Sequence, residues 1–154
     1  MNGENTNYQK SVTGVLIVDG KVLLGRHTYG PGKNRLIVPG GYINNDETPQ
    51  DAVAREYLEE TGIVVKAKDV IGIRFNMRDW YVAFSLEYVS GTAKSDNDEN
   101  SEVIWLDVNE VQGRDDVPDL TKRLIESAMN SNPAMTKKEY ATREQCGEYS
   151  LYTK

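Results

Sequence analysis

The stretch that most limits the fold is TPQDAVAREYLEETG, residues 48–62, which carries both ends of a helix inside a chain otherwise written in strand-like runs. Thr48 supplies a capping hydroxyl, Pro49 takes the first helical position, where no intrahelical N–H is needed, and Asp51 puts an acid in the first turn. Gly62 suits the C-terminal cap, because it adopts the left-handed conformation without steric cost. These signals predict a helix that runs to about Thr61, roughly 13 residues and about 20 Å long. Val53, Ala54, Tyr57, Leu58 and Thr61 share one arc, expected to pack, while Glu56, Glu59 and Glu60 occupy a neighbouring arc.

Before this helix, SVTGVLIVDGKVLLGRH reads as a hairpin around Asp19-Gly20, a pair suited to positive φ angles. TYGPGKN follows as an exposed loop, then RLIV as a short buried strand stopped by Pro39 and Gly40-Gly41. After the helix, IVVKAKDVIGIRF, DWYVAFSLEYVSG and SEVIWLDV are strand-rich, with DNDENSE an acidic loop between the last two. VPDLTKRLIESAMN sets Leu120, Leu124, Ile125 and Ala128 at helical spacing and predicts a second helix. Strands alternating with two amphipathic helices predict an α/β fold, a mixed β-sheet sandwiched by helices. One domain is expected over residues 10–130, after a polar, flexible stretch at 1–9. Residues 131–154 read as an extension in which TKKE can cap a short helix; a tail or a partner contact fits equally.

A chain of 154 residues fits one domain with a real core. Its 18 basic and 24 acidic residues leave a net charge of −6, which argues against binding a nucleic acid polymer through its phosphates. A small phosphorylated partner remains admissible if a cation bridges the two. Cys146 is the only cysteine, so no intrachain disulfide can form, and a reducing cytoplasm is the simplest setting. MNGENTNYQK has no apolar signal-peptide core, and no apolar run approaches the roughly 20 residues that span a bilayer. A soluble, cytoplasmic domain without membrane contact is expected.

Glu56, Glu59 and Glu60 stand at i, i+3 and i+4, where like charges repel by roughly 0.2–0.5 kcal/mol per pair. An acidic helix face is ordinarily a solvated surface. Arg55 can pair with Glu59 across one turn and orient it, but one cation cannot neutralise three carboxylates. A hard divalent cation can. Mg2+, with Mn2+ as a substitute, takes oxygen ligands and keeps room for substrate phosphate oxygens. With such an ion the acidic face attracts a diphosphate; without it the two repel.

From Gly41 to Ile63 the chain reads GYINNDETPQDAVAREYLEETGI, which fits G-x5-E-x7-R-E-U-x-E-E-x-G-U, with U a bulky apolar residue. This resembles the Nudix box, and nine fixed or class-restricted positions across 23 residues make the chain resemble a Nudix hydrolase. Tyr57 departs mildly, standing where Ile, Leu or Val is usual. The resemblance implies a Nudix-type α/β/α sandwich and metal-dependent cleavage of the diphosphate linkage in a nucleoside diphosphate derivative, by attack of a metal-activated water on phosphorus. It implies Glu56, Glu59 and Glu60 as metal ligands, joined by the carbonyl of Gly40, with Arg55 orienting the carboxylates and Glu47 supporting them.

A further carboxylate outside the box often serves as base or ligand in that family. Glu99 and Glu102 are both candidates: Glu99 is preferred as a mobile base, Glu102 as a structural or metal-shell residue. The expected catalytic set is therefore Arg55, Glu56, Glu59 and Glu99. ADP-ribose or a nucleotide sugar is the preferred substrate class, because LIVPGGYI and GIRFNMRDWYVAFSLEY resemble that part of the family. The alternatives are nucleoside triphosphates, oxidised ones included, and a non-catalytic nucleotide sensor. Sensors of that kind generally lose box carboxylates, all of which stand here. Homodimers are common in the family, but nothing in the sequence fixes an interface.

The aromatic residues carry weaker signals. Trp80, Tyr81 and Phe84 could stack on a nucleobase, yet such residues more often fill a core, which is expected for Phe84 and Trp105, with Trp80 left open. Tyr29 reads as an exposed loop residue, and the lone histidine, His27, as a surface residue rather than a phosphate contact. Cys146 has no histidine near it in sequence, so a nucleophilic role is not expected.

Overall fold

The structure is a computed structural model that describes residues 9–132, 134–142 and 150–154. Residues 1–8 and Cys146, and the expectations attached to them, lie outside the described residues. The chain opens with β1 (Gln9–Val18) and β2 (Lys21–His27), an antiparallel hairpin in register Ile17↔Val22 and Val18↔Lys21. Asp19 at φ 51° and Gly20 at φ 75° make the turn, both left-handed as a tight hairpin requires. Next come β3 (Leu36–Ile37), β4 (Gly40–Tyr42) and helix α1 (Pro49–Thr61). Then follow β5 (Val64–Phe75), β6 (Asp79–Ser90), β7 (Asn100–Asp107), the single turn α2 (Val108–Val111) and α3 (Asp119–Met129). Two short strands, β8 (Thr136–Lys138) and β9 (Ser150–Thr153), end the described chain.

The strands form a mixed sheet in the order β3-β2-β1-β6-β5-β9-β8, with β4 also on β1 and β7 also on β2. β1 runs parallel to β6, from Gln9↔Asp79 to Leu16↔Leu86. Its other edge is divided. Ser11–Thr13 pair with β4 and Ile17–Val18 with β2, so Gly14–Leu16 have no strand partner on that edge among the described residues. A side chain from α1 fills the gap: the Tyr57 hydroxyl, fully buried, donates to the Gly14 carbonyl at 2.6 Å, and its own oxygen faces the Leu16 N–H. The aliphatic residues usual at this box position could not satisfy those backbone groups, and a buried orphan carbonyl is costly.

Alternation along the strands sends side chains to two cores. Val12, Leu16 and Leu23 meet Ala52, Val53 and Tyr57 of α1, while Val15, Val22 and Leu24 meet Leu124 and Ile125 of α3. The helices therefore cover opposite faces, giving the α/β/α sandwich. Helix α1 starts where the Thr48 hydroxyl accepts the Asp51 N–H at 3.2 Å and stops at Gly62, φ 74°. No helix among the described residues is long and apolar enough to cross a membrane.

Two expectations are corrected. The segment around TKKE is a strand rather than a helix start: β8 pairs with β9, and β9 pairs with β5 from Gly72↔Thr153 to Phe75↔Ser150. The outer edge of β5 would otherwise leave its backbone unpaired, and Leu151 and Thr153, each 1% exposed, bury themselves in closing it. The packed arc of α1 is also rotated. Leu58 is 52% exposed, and the buried side comprises Ala52, Val53, Glu56, Tyr57, Glu60 and Thr61. Two of the glutamates face inward.

Candidate active site

The division of β1 places β4 against the middle of α1, and the site forms where they meet. Gly40 and Gly41 bring backbone against the helix: a Cβ on Gly41 would stand 2.4 Å from Glu56 Oε1, and one on Gly40 2.2 Å from the Val12 carbonyl oxygen. That closeness lets the Gly40 N–H donate to Glu60 Oε2 at 3.2 Å. Glu99 arrives from the loop ahead of β7, where the Asp96 carboxylate accepts the N–H groups of Asp98 and Asn100 and folds the chain back. Carboxylate oxygens of Glu56, Glu60 and Glu99 then lie within 4.8 Å of one another.

Burial decides the electrostatics. Glu60 is 2% exposed, and its Oε1 is buried with no hydrogen-bond partner. Desolvation, then the Glu99 carboxylate and the charge of Glu56, push its pKa up to about 9, against a weaker pull from the Gly40 N–H. Glu56 is also raised, chiefly by burial, although Arg55 opposes this. Two buried acids and a third carboxylate beside them cannot all ionise unless positive charge enters.

Arg55 is the local organiser. Its Nε and Nη2 hold the Glu47 carboxylate at 3.0 and 2.6 Å, Nη1 reaches Glu56 Oε1 at 2.9 Å and Glu59 Oε2 at 3.2 Å, and Nη2 also donates to the Tyr42 carbonyl at 3.0 Å. This grip, with the Asn44 N–H, holds the Glu47 carboxyl down at about 2. Arg55 thus ties α1 to the loop before it and leaves the far side of Glu56 open. Its charge is shared among three acids and does not reach the orphaned oxygen of Glu60. An all-oxygen set with one buried, unpartnered atom fits a hard divalent ion such as Mg2+ or Mn2+.

Glu56, Glu60, Gly40 and Glu99 are brought together. Glu59, with its side chain 58% exposed, is outside the group and rests on Arg55. Glu102 is elsewhere: it accepts Arg26 Nε at 2.9 Å, in a network where Arg26 also reaches Asp116. A pocket of about 330 Å3 opens beside Gly40 and Gly41, lined also by His27, Tyr29, Tyr42 and Tyr81. His27, expected at the surface, is half-buried and stacks on Tyr29 with ring centroids 5.9 Å apart and planes at 20°. Burial lowers its pKa, with Glu99 and Asp96 opposing. Tyr42 was not singled out by sequence; its place directly after the paired glycines was the available signal. Phe84 is core at 3% exposure, Trp105 packs against the core on the α1 side, and Trp80, 54% exposed, meets the edge of Phe75 away from the pocket.

The family model for the NUDIX domain matches residues 7–127. The ADP-ribose pyrophosphatase of Methanocaldococcus jannaschii is 32% identical over 105 residues, covering 64% of this chain and 62% of that protein. The NAD-capped RNA hydrolase NudC of Vibrio atlanticus is 34% identical over 120 residues, 73% of this chain but 42% of that protein. The chain therefore spans under two thirds of the length of either relative. Among solved structures, the MutT protein from Methanosarcina mazei Go1 superposes with a TM-score of 0.69 at 26% identity, over 82% of this chain and 96% of its own. With the matching domain covering most of the sequence, and Glu56 and Glu60 of the box gathered with Glu99 where α1 meets β4, the chain belongs to the Nudix family.

Proposed function

We propose that the chain hydrolyses the diphosphate linkage of a nucleoside diphosphate derivative, with the Glu56–Glu60–Glu99 cluster as the metal-dependent centre. The observation that carries this reading is the buried, unpartnered Glu60 Oε1 among carboxylates that cannot all be charged alone. Glu56, Glu60 and Glu99 would hold Mg2+ or Mn2+, with Gly40 alongside; Glu59 would join only by leaving Arg55. A bound ion of this kind supplies positive charge for the diphosphate oxygens and lowers the pKa of a water. Arg55 keeps Glu56 and Glu47 fixed, so the carboxylates need not reorganise when substrate arrives. Glu99, carried on a loop rather than on α1, would offer one carboxylate oxygen to the ion and keep the other to take the proton of the attacking water. The stacked His27 and Tyr29, with Tyr42, offer flat faces to a nucleobase.

ADP-ribose or a nucleotide sugar is the preferred substrate class, supported by the name of the M. jannaschii relative. The cytoplasm, where such nucleotides are abundant, is the proposed setting. A Danio rerio relative named oxidized purine nucleoside triphosphate hydrolase, 32% identical over 110 residues, favours nucleoside triphosphates as the second reading. A product-release assay across ADP-ribose, nucleotide sugars and nucleoside triphosphates, with and without chelator, separates them. Turnover of ADP-ribose that chelator abolishes is the expected result. Turnover that chelator leaves intact, or none on any compound, would overturn the proposal; tight binding without cleavage would point to a sensor.

A further inference from the structure

Beyond the pocket lies a larger cleft of about 990 Å3. The two adjoin, since Pro31, Gly32, Tyr42, Arg74 and Asp79 line both. In a chain of net charge −6 the cleft is distinctive: Arg35, Arg74, Arg78, Arg114 and Lys122 line it, against Asp79, Asp115 and Asp119. Some of these charges are already engaged. Arg74 Nη2 donates to both oxygens of Asp79 at 2.9 Å, Arg114 holds Asp116, and Asp119 accepts the Ala141 N–H at 3.0 Å. Asp115 stands exposed. Arg35, Arg78 and Lys122 form no salt bridge among the described residues, and the Nε of Arg35 is buried with no hydrogen-bond partner. A buried guanidinium nitrogen without an acceptor is costly, and the guanidinium that carries it lines the cleft.

The geometry points to a binding site for a second phosphate of the substrate, carried on a ribose hydroxyl and remote from the diphosphate that is cut. The inference rests on the reading of the carboxylate cluster as the cutting site. On a nucleotide, the 5′-diphosphate and the 2′- and 3′-oxygens leave opposite ends of the ribose. With the diphosphate at Glu56 and Glu60 and the base against Tyr29 and Tyr42, a substituent on the far hydroxyls enters the cationic cleft. Three cations without a salt bridge among the described residues suit a phosphate monoester, whose two charges and three terminal oxygens match guanidinium forks better than one carboxylate does. Within the preferred substrate class, derivatives that carry one additional phosphate on a ribose hydroxyl should therefore bind more tightly than ADP-ribose itself.

Calorimetry can test this without turnover, by comparing AMP with adenosine 2′,5′- and 3′,5′-bisphosphate, and GMP with the matching guanosine pair. At least one bisphosphate should bind roughly tenfold tighter than its monophosphate at low salt, and the advantage should shrink as salt rises. Arg35→Gln, Arg78→Gln and Lys122→Gln should each reduce that ratio, and the triple variant, checked for folding by its thermal melt, should bring it near one. Equal or absent binding across both pairs overturns the inference, as does a ratio that survives the triple variant. A 5′-phosphorylated dinucleotide, which offers a diester at the same hydroxyl, must bind more weakly than the bisphosphate; equal binding overturns the assignment to a small nucleotide. Hydrolysis of ADP-ribose without any bisphosphate preference would sink this inference alone. Bisphosphate preference in a protein that cleaves nothing would sink the proposed activity alone.

Discussion

Replacing Glu60 by Gln should stabilise the metal-free protein while destroying its response to metal. An acid whose folded pKa is raised binds more protons folded than unfolded, so stability falls as pH rises from the ordinary 4.5 to the folded value of about 9. At pH 7 the protein is about 2.5 pH units into that window. At about 1.4 kcal/mol per unit, holding Glu60 in place costs the folded state up to about 3 kcal/mol. Gln keeps the shape of the protonated acid and has no proton to lose, so the variant is free of this penalty. For a chain of this size about 1 kcal/mol moves Tm by roughly 2–4 °C, so the chelator-treated variant should melt roughly 6–12 °C above wild type.

The pH profile makes the test specific. Near pH 5 little of the penalty has accrued, and the two melts should nearly coincide; towards pH 8 they should separate. Glu56, also raised, tilts both curves the same way, and because its charge raises Glu60 the difference between the melts includes that coupling. Glu47 and Asp116, held down at about 2 by Arg55 and Arg114, act only below the ordinary carboxylate range, where their stabilisation is lost as pH falls. Adding Mg2+ or Mn2+ at pH 8 should raise the wild-type melt and leave the variant nearly unmoved. A variant that melts below wild type in chelator at pH 8, or that gains as much from Mn2+, would refute the account of Glu60 as a buried carboxylate awaiting a cation.

Three further outcomes are expected. Tyr57→Phe removes the hydroxyl that bonds the Gly14 carbonyl and leaves that oxygen buried, so denaturant unfolding should show a loss of about 1–3 kcal/mol. Gly41→Ala puts a Cβ 2.4 Å from Glu56 Oε1 and displaces that carboxylate; turnover of the best substrate should fall roughly 100-fold with a melt changed by only a few degrees. Leu151→Ala, at a side chain 1% exposed on β9, should cost about 2–5 kcal/mol by chemical denaturation, whereas a dispensable tail would show no change.

The helix at the centre of the site was legible because its punctuation is local: Thr48, Pro49 and Gly62 act on their own backbone, and α1 runs between them as they predict. Which of its faces is buried was not local. Advancing about 100° per residue, Glu60 lies about 40° from Glu56, while Glu59 lies about 60° to the other side. The spacing therefore fits a burial boundary on either side of the three glutamates. The boundary is drawn by β1 and β4, whose close approach depends on two glycines that, read alone, mark only a turn. That choice turns Glu60 inward beneath Gly40, leaves Leu58 in solvent and hands Glu59 to Arg55. Glu99 and Glu102 stand three residues apart, in or beside the same acidic loop; what separates them is the Arg26 guanidinium, which captures Glu102 from a strand 76 residues away in the chain. The short strands β8 and β9 have no periodicity strong enough to announce themselves, and are strands because the edge of β5 needs a partner. Tyr57 shows the same logic in reverse. It departs mildly from the box in sequence, yet its hydroxyl meets backbone groups that an aliphatic side chain would leave unsatisfied where β1 is split. Local chemistry identifies which residues this chain has for a reaction, and long-range pairing of β1 decides which of them face the same point.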